Sequence, residues 1–167
     1  MAITRLGGAN AITGTIPTSV APGQGKVLQV VRNYVASAGS HVETSSASLS
    51  ASGITQSITP TASGNLILVD FSSSMADKDT SGAFGVSRMY QKIGSGSFAE
   101  MTGASSYHIG YMQQNENKYS NLTFGGSYTT TSTDTLIFQP YIQSSSGSFR
   151  LVHVNASYSL TLTEVEQ

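Results

Sequence analysis

The chain has no cysteine and no tryptophan, and charged side chains are scarce. Without cysteine there can be no disulfide, no thiolate metal site and no thiol nucleophile. Charged residues make up 10% of the chain and its net charge is −1, so no basic stripe is available to neutralise nucleic-acid phosphates. No apolar run approaches 18 residues, and no basic amphipathic helix is apparent. We therefore expect neither nucleic acid nor a membrane among its partners.

Small and uncharged polar residues take the place of charge. Serine, threonine and glycine together make up about 38% of the chain, well above ordinary usage. Another 38% of the residues are hydrophobic, and they fall in periodic runs that argue against disorder. A chain of 167 residues is long enough for one globular domain with a hydrophobic core.

The first 25 residues differ from the rest of the chain. Glycines and prolines interrupt any helical or strand period, and residues 22–25 (PGQG) predict a turn. We predict an extended N-terminal arm over residues 1–25 and a β-sandwich domain over residues 26–167. The arm is either a flexible tail or a segment that docks on a neighbouring subunit. In the second case the candidate contact residues are Ile3, Arg5, Leu6, Ile12, Ile16 and Val20.

From residue 26 onward the pattern is that of one strand after another. Runs rich in β-branched and aromatic residues are separated by connections rich in glycine, serine and asparagine. About eight such runs in some 140 residues predict an all-β fold, an antiparallel jelly-roll-like β-sandwich. The predicted strands cover residues 27–35, 54–59, 66–71, 84–93, 121–128, 135–142, 149–154 and 159–165.

Three local features carry their own expectations. The continuous apolar run at residues 66–71 predicts a strand buried on both faces. The apolar phase shifts between Val86 and Met89, which predicts a β-bulge near Ser87. Pro140 predicts an edge strand or a bend, because proline cannot donate to a ladder.

Candidate catalytic and metal-binding residues are few. His41, His108 and His153 are far apart in sequence and suggest no metal site. Residues 77–82 (DKDTSG) resemble the start of a calcium loop, but Arg88 stands where the bidentate glutamate should be. We favour a turn in which aspartates cap backbone amides and Gly82 takes a positive φ. No nucleophile or carboxylate motif is present, so we predict a protein that is not an enzyme and uses no cofactor or metal.

Tyrosine is the commonest aromatic residue, and several tyrosines fall near asparagine and glutamine. Such a mixture is typical of adaptable recognition surfaces. Tyrosines also simply border a sandwich core with their hydroxyls in water. If these residues form a recognition loop, its members are Asp77, Asp79, Tyr107, Tyr111, Asn115 and Tyr119.

Three segments carry a resemblance to a known class of proteins. Residues 1–31, ending in KVLQVV, residues 58–69 (ITPTASGNLILV) and residues 159–166 (SLTLTEVE) resemble small structural proteins of tailed bacteriophages, especially of marine and cyanobacterial hosts. Those proteins are known as capsid decoration, head-fibre or tail-fibre-like proteins, and similar domains form trimers. The shared motifs are strands and turns, so the resemblance implies a fold and a setting and transfers no site residue.

The resemblance implies a virion protein on the particle exterior. We expect a homotrimer that binds neighbouring capsid subunits through the major capsid protein or another virion protein, as a decoration, cement or head-fibre protein. The alternative is a tail-fibre or receptor-binding tip that recognises a host surface glycan or protein. The N-terminus shows no signal peptide, so we expect synthesis in the host cytoplasm and display as part of the particle.

Overall fold

The computed structural model describes residues 25–80, 82–101, 109–113 and 119–167. These residues form twelve β-strands and no helix. Residues 1–24 lie outside the described residues, so the predicted arm stays a prediction. The strands are β1 (Val27–Val35), β2 (Val42–Thr44), β3 (Ser50–Ala51), β4 (Gln56–Ile58), β5 (Leu66–Lys78), β6 (Phe84–Ile93), β7 (Ala99–Glu100), β8 (Ile109–Gln113), β9 (Ser120–Thr129), β10 (Leu136–Ser144), β11 (Phe149–Val152) and β12 (Tyr158–Val165).

The strands make two antiparallel sheets with jelly-roll connectivity. Sheet I contains the order β1-β12-β5-β9, and β11 and β2 extend it beyond β5. Sheet II contains the order β4-β10-β6-β8, with β3 and β7 as short additions. Along the chain, these eight strands pass between the sheets in the manner of two Greek keys, which defines a jelly roll. The predicted all-β sandwich is therefore confirmed.

The core lies between the inner faces of the two sheets. Alternate residues of each central strand point inward, so β5 contributes Phe71 and β10 contributes Phe138, both fully buried. Phe71 meets Phe124 of β9 at a ring-centroid distance of 5.1 Å. Aliphatic side chains of β12 and methionines of β6 and β8 complete the core; among them are Leu160, Leu162, Met89 and Met112.

Two local predictions were wrong. Residues 66–71 are not buried on both faces, because Leu68 points away from the core and is exposed. No bulge occurs at Ser87, where β6 pairs with β10 in an unbroken register. The apparent phase shift arises because Val86 lies on the outer side of sheet II while Met89 lies on the inner side, and both are buried.

Pro140 lies in a central strand rather than at an edge. It pairs with Met89 of β6 on one side, and on the other side it falls between the short strands β3 and β4. The interruption between those strands places no ladder acceptor opposite the proline nitrogen, while the Pro140 carbonyl accepts a hydrogen bond from Ser52 N at 3.0 Å. The sheet thus accommodates proline by splitting the neighbouring strand.

The sandwich has two distinct ends. At the base end, Gly25 and Glu166 lie side by side, near the turns at residues 59–65 and 130–135. At the loop end, residues 36–41, 79–83 and 145–148 connect the opposite tips of the strands. The register determines this separation, since β12 pairs its last residue, Val165, with the first residues of β1 and β5.

Candidate functional site

The loop end is organised around Arg150 of β11. Its Nη1 donates to Oδ2 of Asp77 at 2.7 Å, and its Nε donates to Oε2 of Glu43 at 2.9 Å. Burial alone would lower the pKa of Arg150, but the two carboxylates raise it above its ordinary value. Strand pairing brings the three residues together, because Arg150 stands opposite Glu43 of β2 and Asp77 of β5.

A fully buried lysine, Lys78, follows Asp77 in β5. The Lys78 ammonium donates to the carbonyl oxygens of Ser146 and Ser148 and lies 3.4 Å from Oδ1 of Asp79. Asp79 Oδ1 also accepts from Ser148 N at 2.7 Å and from Thr80 Oγ1 at 3.0 Å. Burial raises the pKa of Asp79, but these hydrogen bonds outweigh it and hold that pKa below its usual value. Lys78 and Asp79 thus tie the β5–β6 turn to the β10–β11 turn.

The predicted positive φ of Gly82 is confirmed, with a value of 75°. Asp79 also caps a backbone amide, but it is that of Ser148 in the β10–β11 turn, 69 positions away, rather than one of its own turn. Asp77 lies inside β5 rather than in the loop. Its partner is the Arg150 guanidinium. Among the described residues, Asp77 Oδ1 has no hydrogen-bond donor.

Two tyrosines from the predicted recognition loop are exposed near the loop end. Tyr111 and Tyr119 are each more than half-exposed. Tyr111 stacks on Phe84 at 5.7 Å, and Tyr119 meets the ring of His153 edge-on at 4.7 Å. Of the other predicted members, Asp79 lies in the β5–β6 turn and Asp77 is buried, so the Asp77 carboxylate is not presented to a partner. Tyr107 and Asn115 lie outside the described residues, as do the six predicted arm residues.

The structure brings together two histidines that are 112 positions apart in sequence. The rings of His41 and His153 meet edge-on with centroids 4.4 Å apart. Nδ1 of His41 accepts a hydrogen bond from Val154 N at 3.0 Å, and Nδ1 of His153 lies 2.9 Å from the Val154 carbonyl oxygen. The two rings therefore hold the β11–β12 connection against the segment before β2. His108 lies outside the described residues.

The base end holds a second buried carboxylate, Glu164 of β12. Its Oε1 accepts from Asn65 Nδ2 at 2.6 Å, from Thr61 N at 2.8 Å and from Thr61 Oγ1 at 2.8 Å, and its Oε2 accepts from Gln29 Nε2 at 2.6 Å. Burial would raise the pKa of Glu164, but these four donors lower it from 4.5 to about 2. Glu164 thereby joins β1, β12 and the turn before β5.

Sequence reasoning missed the residues that organise both ends. Glu164 had a signal, since it continues the alternation of Leu160 and Leu162 and therefore points inward. Lys78 had none, because the predicted strand ended at residue 71. Arg150 and Glu43 could be recognised only from the pairing of β11 with β2.

In the described ranges no group of three or more histidines and carboxylates could hold a metal ion. Within the same ranges no helix is long and apolar enough to cross a membrane.

Comparisons with known proteins give little beyond the fold. No protein-family model matches the chain, and no curated protein is significantly similar to it. A search of solved structures finds a chain in the structure of infectious bursal disease virus, Gx strain, with 12% sequence identity and a TM-score of 0.42. The match covers 84% of this chain and 38% of the viral chain, so this chain spans about two fifths of that length. A match this weak supports no conclusion about this chain. The jelly-roll assignment rests on the strand pairing.

Proposed function

We propose that this chain is a virion structural protein of a tailed bacteriophage, without enzymatic activity. It is displayed on the outer capsid surface as a decoration, cement or head-fibre protein and binds neighbouring capsid subunits as a trimer. The observation that carries the proposal is the two-ended jelly roll. Gly25, the first described residue, and Glu166, the residue before the last, both lie at the base end, and the loop end faces the other way. Jelly rolls of this connectivity occur in viral capsid proteins, as they do in lectins and cupins.

The two ends suit a domain that is attached at its base. The arm, residues 1–24, joins at Gly25, so it is positioned to bind the particle beneath the domain. At the loop end, Asp77, Lys78, Asp79 and Arg150 are engaged in ion pairs and backbone hydrogen bonds. These contacts close the turns at the loop end of the domain. The bacteriophage resemblance of residues 1–31 and 58–69 supports the same setting.

Counting copies per particle tests the position. A decoration protein repeats with the capsid lattice, so purified virions should contain on the order of hundreds of copies. Quantitative mass spectrometry against the major capsid protein measures this number. A handful of copies per particle would instead indicate a tail or fibre position.

Removing the arm tests the mode of attachment. We expect a chain lacking residues 1–24 to keep its far-ultraviolet circular dichroism spectrum but to lose binding to particles stripped of this protein. Retained binding would indicate that the base of the domain, and not the arm, contacts the particle.

A second candidate function is recognition of a host surface glycan or protein by a tail-fibre or receptor-binding tip. The observation that favours it is the exposure of Tyr111 and Tyr119 near the loop end, away from the chain ends. Glycan-array binding by the intact protein, lost on Tyr119→Ala, would support recognition. Adsorption of phage unchanged by Tyr111→Ala and Tyr119→Ala would argue against it.

A further inference from the structure

The outer face of sheet I carries an exposed apolar patch at its base end. We define the outer apolar patch as Val27, Val30, Leu66, Leu68 and Val165. The pairing registers place these residues in two adjacent rows: Val27, Val165 and Leu66 form one, and Val30 and Leu68 flank Thr163 in the next. Val30 is 57% exposed and Leu68 is 43% exposed. The patch borders a charged row, because Arg32 and Asp70 flank Thr161 on the same face. Exposed apolar side chains grouped in this way form a candidate binding surface.

The patch lies beside the point where the arm joins the domain. Lys26 continues the pairing of β1 with β12 beyond the sheet, since its carbonyl accepts from Glu166 N at 2.9 Å. Gly25 is packed so closely that a Cβ there would collide with Val165 Cγ1. The backbone is therefore held in line with β1 as it passes the base end. Residues 1–24 are therefore attached next to the outer apolar patch.

The sequence of the arm matches the patch in chemistry. Leu6, Ile12, Ile16 and Val20 give residues 6–20 four large apolar side chains that can be buried in a contact. Residues 6–20 contain no charged side chain, and the outer apolar patch contains none either. The 24 residues before Gly25 can span about 80 Å when extended, which is enough to cross to a second domain.

We propose that the arm of one copy lies on the outer apolar patch of a neighbouring copy, with Ile12, Ile16 and Val20 against Val30 and Leu68. Ile3, Arg5 and Leu6 then remain to contact the particle. Each copy gives an arm and receives one, and such a head-to-tail contact forms a ring when the rotation between copies closes, as in a trimer. The inference rests on the trimer of the proposed function, and it names the residues through which the copies of that trimer contact each other.

Engineered cysteine pairs test the contact directly, because the chain has no cysteine of its own. Full-length Val20→Cys and full-length Leu68→Cys are mixed and oxidised, and the products are separated by non-reducing electrophoresis. We expect a covalent dimer of the two variants. The matched control replaces Leu68→Cys with Ser57→Cys, an exposed residue of β4 on the outer side of sheet II, and should give no more than background.

Two results would overturn the proposal. One is equal cross-linking to Ser57→Cys. The other is linkage only within a single Val20→Cys/Leu68→Cys chain, which would mean that the arm covers its own domain. As a second readout, Leu68→Asp should shift the trimer–monomer transition to at least tenfold higher protein concentration in sedimentation, while Ser57→Asp leaves it unchanged.

These experiments use the free protein. Failure of the cross-link with normal particle binding would reject the arm–patch contact alone, and loss of particle binding with an intact cross-link would reject the proposed position on the capsid.

Discussion

The two ends of the jelly roll each bury a carboxylate, and they stabilise it in different ways. Glu164 at the base end accepts hydrogen bonds from neutral amide, hydroxyl and backbone donors only. Asp77 at the loop end is held by the Arg150 guanidinium, and one of its oxygens has no donor among the described residues. The base therefore keeps a buried carboxylate among neutral donors. At the loop end two cations, Lys78 and Arg150, pair with three carboxylates, those of Glu43, Asp77 and Asp79. This contrast predicts different responses to mutation and to pH.

The largest effect is expected at the loop end, from Arg150→Met. Loss of the guanidinium leaves Asp77 buried without a charge partner, which costs about 3–5 kcal/mol in the free energy of unfolding. Urea denaturation measures this cost. Arg88→Met is the matched control, because Arg88 pairs with Glu100 at 3.0 Å while both remain partly exposed, so it should cost less than about 1 kcal/mol. Equal losses of unfolding free energy in the two variants would mean that the Arg150–Asp77 pair stabilises the fold no more than the partly exposed Arg88–Glu100 pair.

The base end should show the strongest acid sensitivity. The pKa of Glu164 is lowered from 4.5 to about 2 in the folded protein, so its contribution is present above pH 4.5 and is lost as the pH falls toward 2. A shift of this size corresponds to about 3 kcal/mol. The difference in unfolding free energy between the wild type and Glu164→Gln should therefore shrink between pH 5 and pH 2. A difference that is independent of pH would contradict the assignment of the low pKa.

Gly147 allows a smaller test of how tightly the loop end is packed. Its φ is 61°, and a Cβ there would collide with Thr80 Oγ1. Gly147→Ala should cost about 2 kcal/mol or more, as strain adds to the collision. Gly53 has a φ of 80° with open space around it, so Gly53→Ala isolates the conformational part and should cost about 1 kcal/mol. Equal decreases in Tm for Gly147→Ala and Gly53→Ala would show that the loop end rearranges to accept the added Cβ.

The smallest expected effect concerns the histidine contact. His41→Ala removes the acceptor for Val154 N and should cost about 1 kcal/mol. His41→Asn offers a side-chain oxygen close to the position of Nδ1 and should recover part of this loss. Chemical denaturation of both variants at pH 7.5 checks the prediction. Equal free energies of unfolding for His41→Ala and His41→Asn would mean that the hydrogen bond from Val154 N does not stabilise the fold.

Much of the strand content was predictable from local patterns. The prediction for residues 27–35 coincides with β1, and the alternation of Leu122, Phe124 and Tyr128 correctly indicates one face of β9. The pattern failed where a residue's environment depends on another strand. Leu68 is apolar yet exposed, and Pro140 is tolerated at the centre of a sheet because its neighbouring strand is split.

The site was less predictable than the fold. Gly82 was recognisable as a turn residue, because a positive φ is a local property of the backbone, whereas the amide that Asp79 caps, Ser148 N, lies 69 positions away. The pairing of Asp77 with Arg150 joins residues 73 positions apart, and that of His41 with His153 joins residues 112 apart. No local spacing rule reports contacts of this kind, because they depend on strand register.

The sequence by itself determined the all-β class, the absence of thiol chemistry and the low charge, because these follow from composition and from a period of two residues. Tertiary structure alone decided which buried charges meet, which apolar side chains face solvent, and that both described chain ends lie at one end of the sandwich. The physical reason is that side-chain alternation is local, whereas strand order and register depend on packing two sheets around a common core.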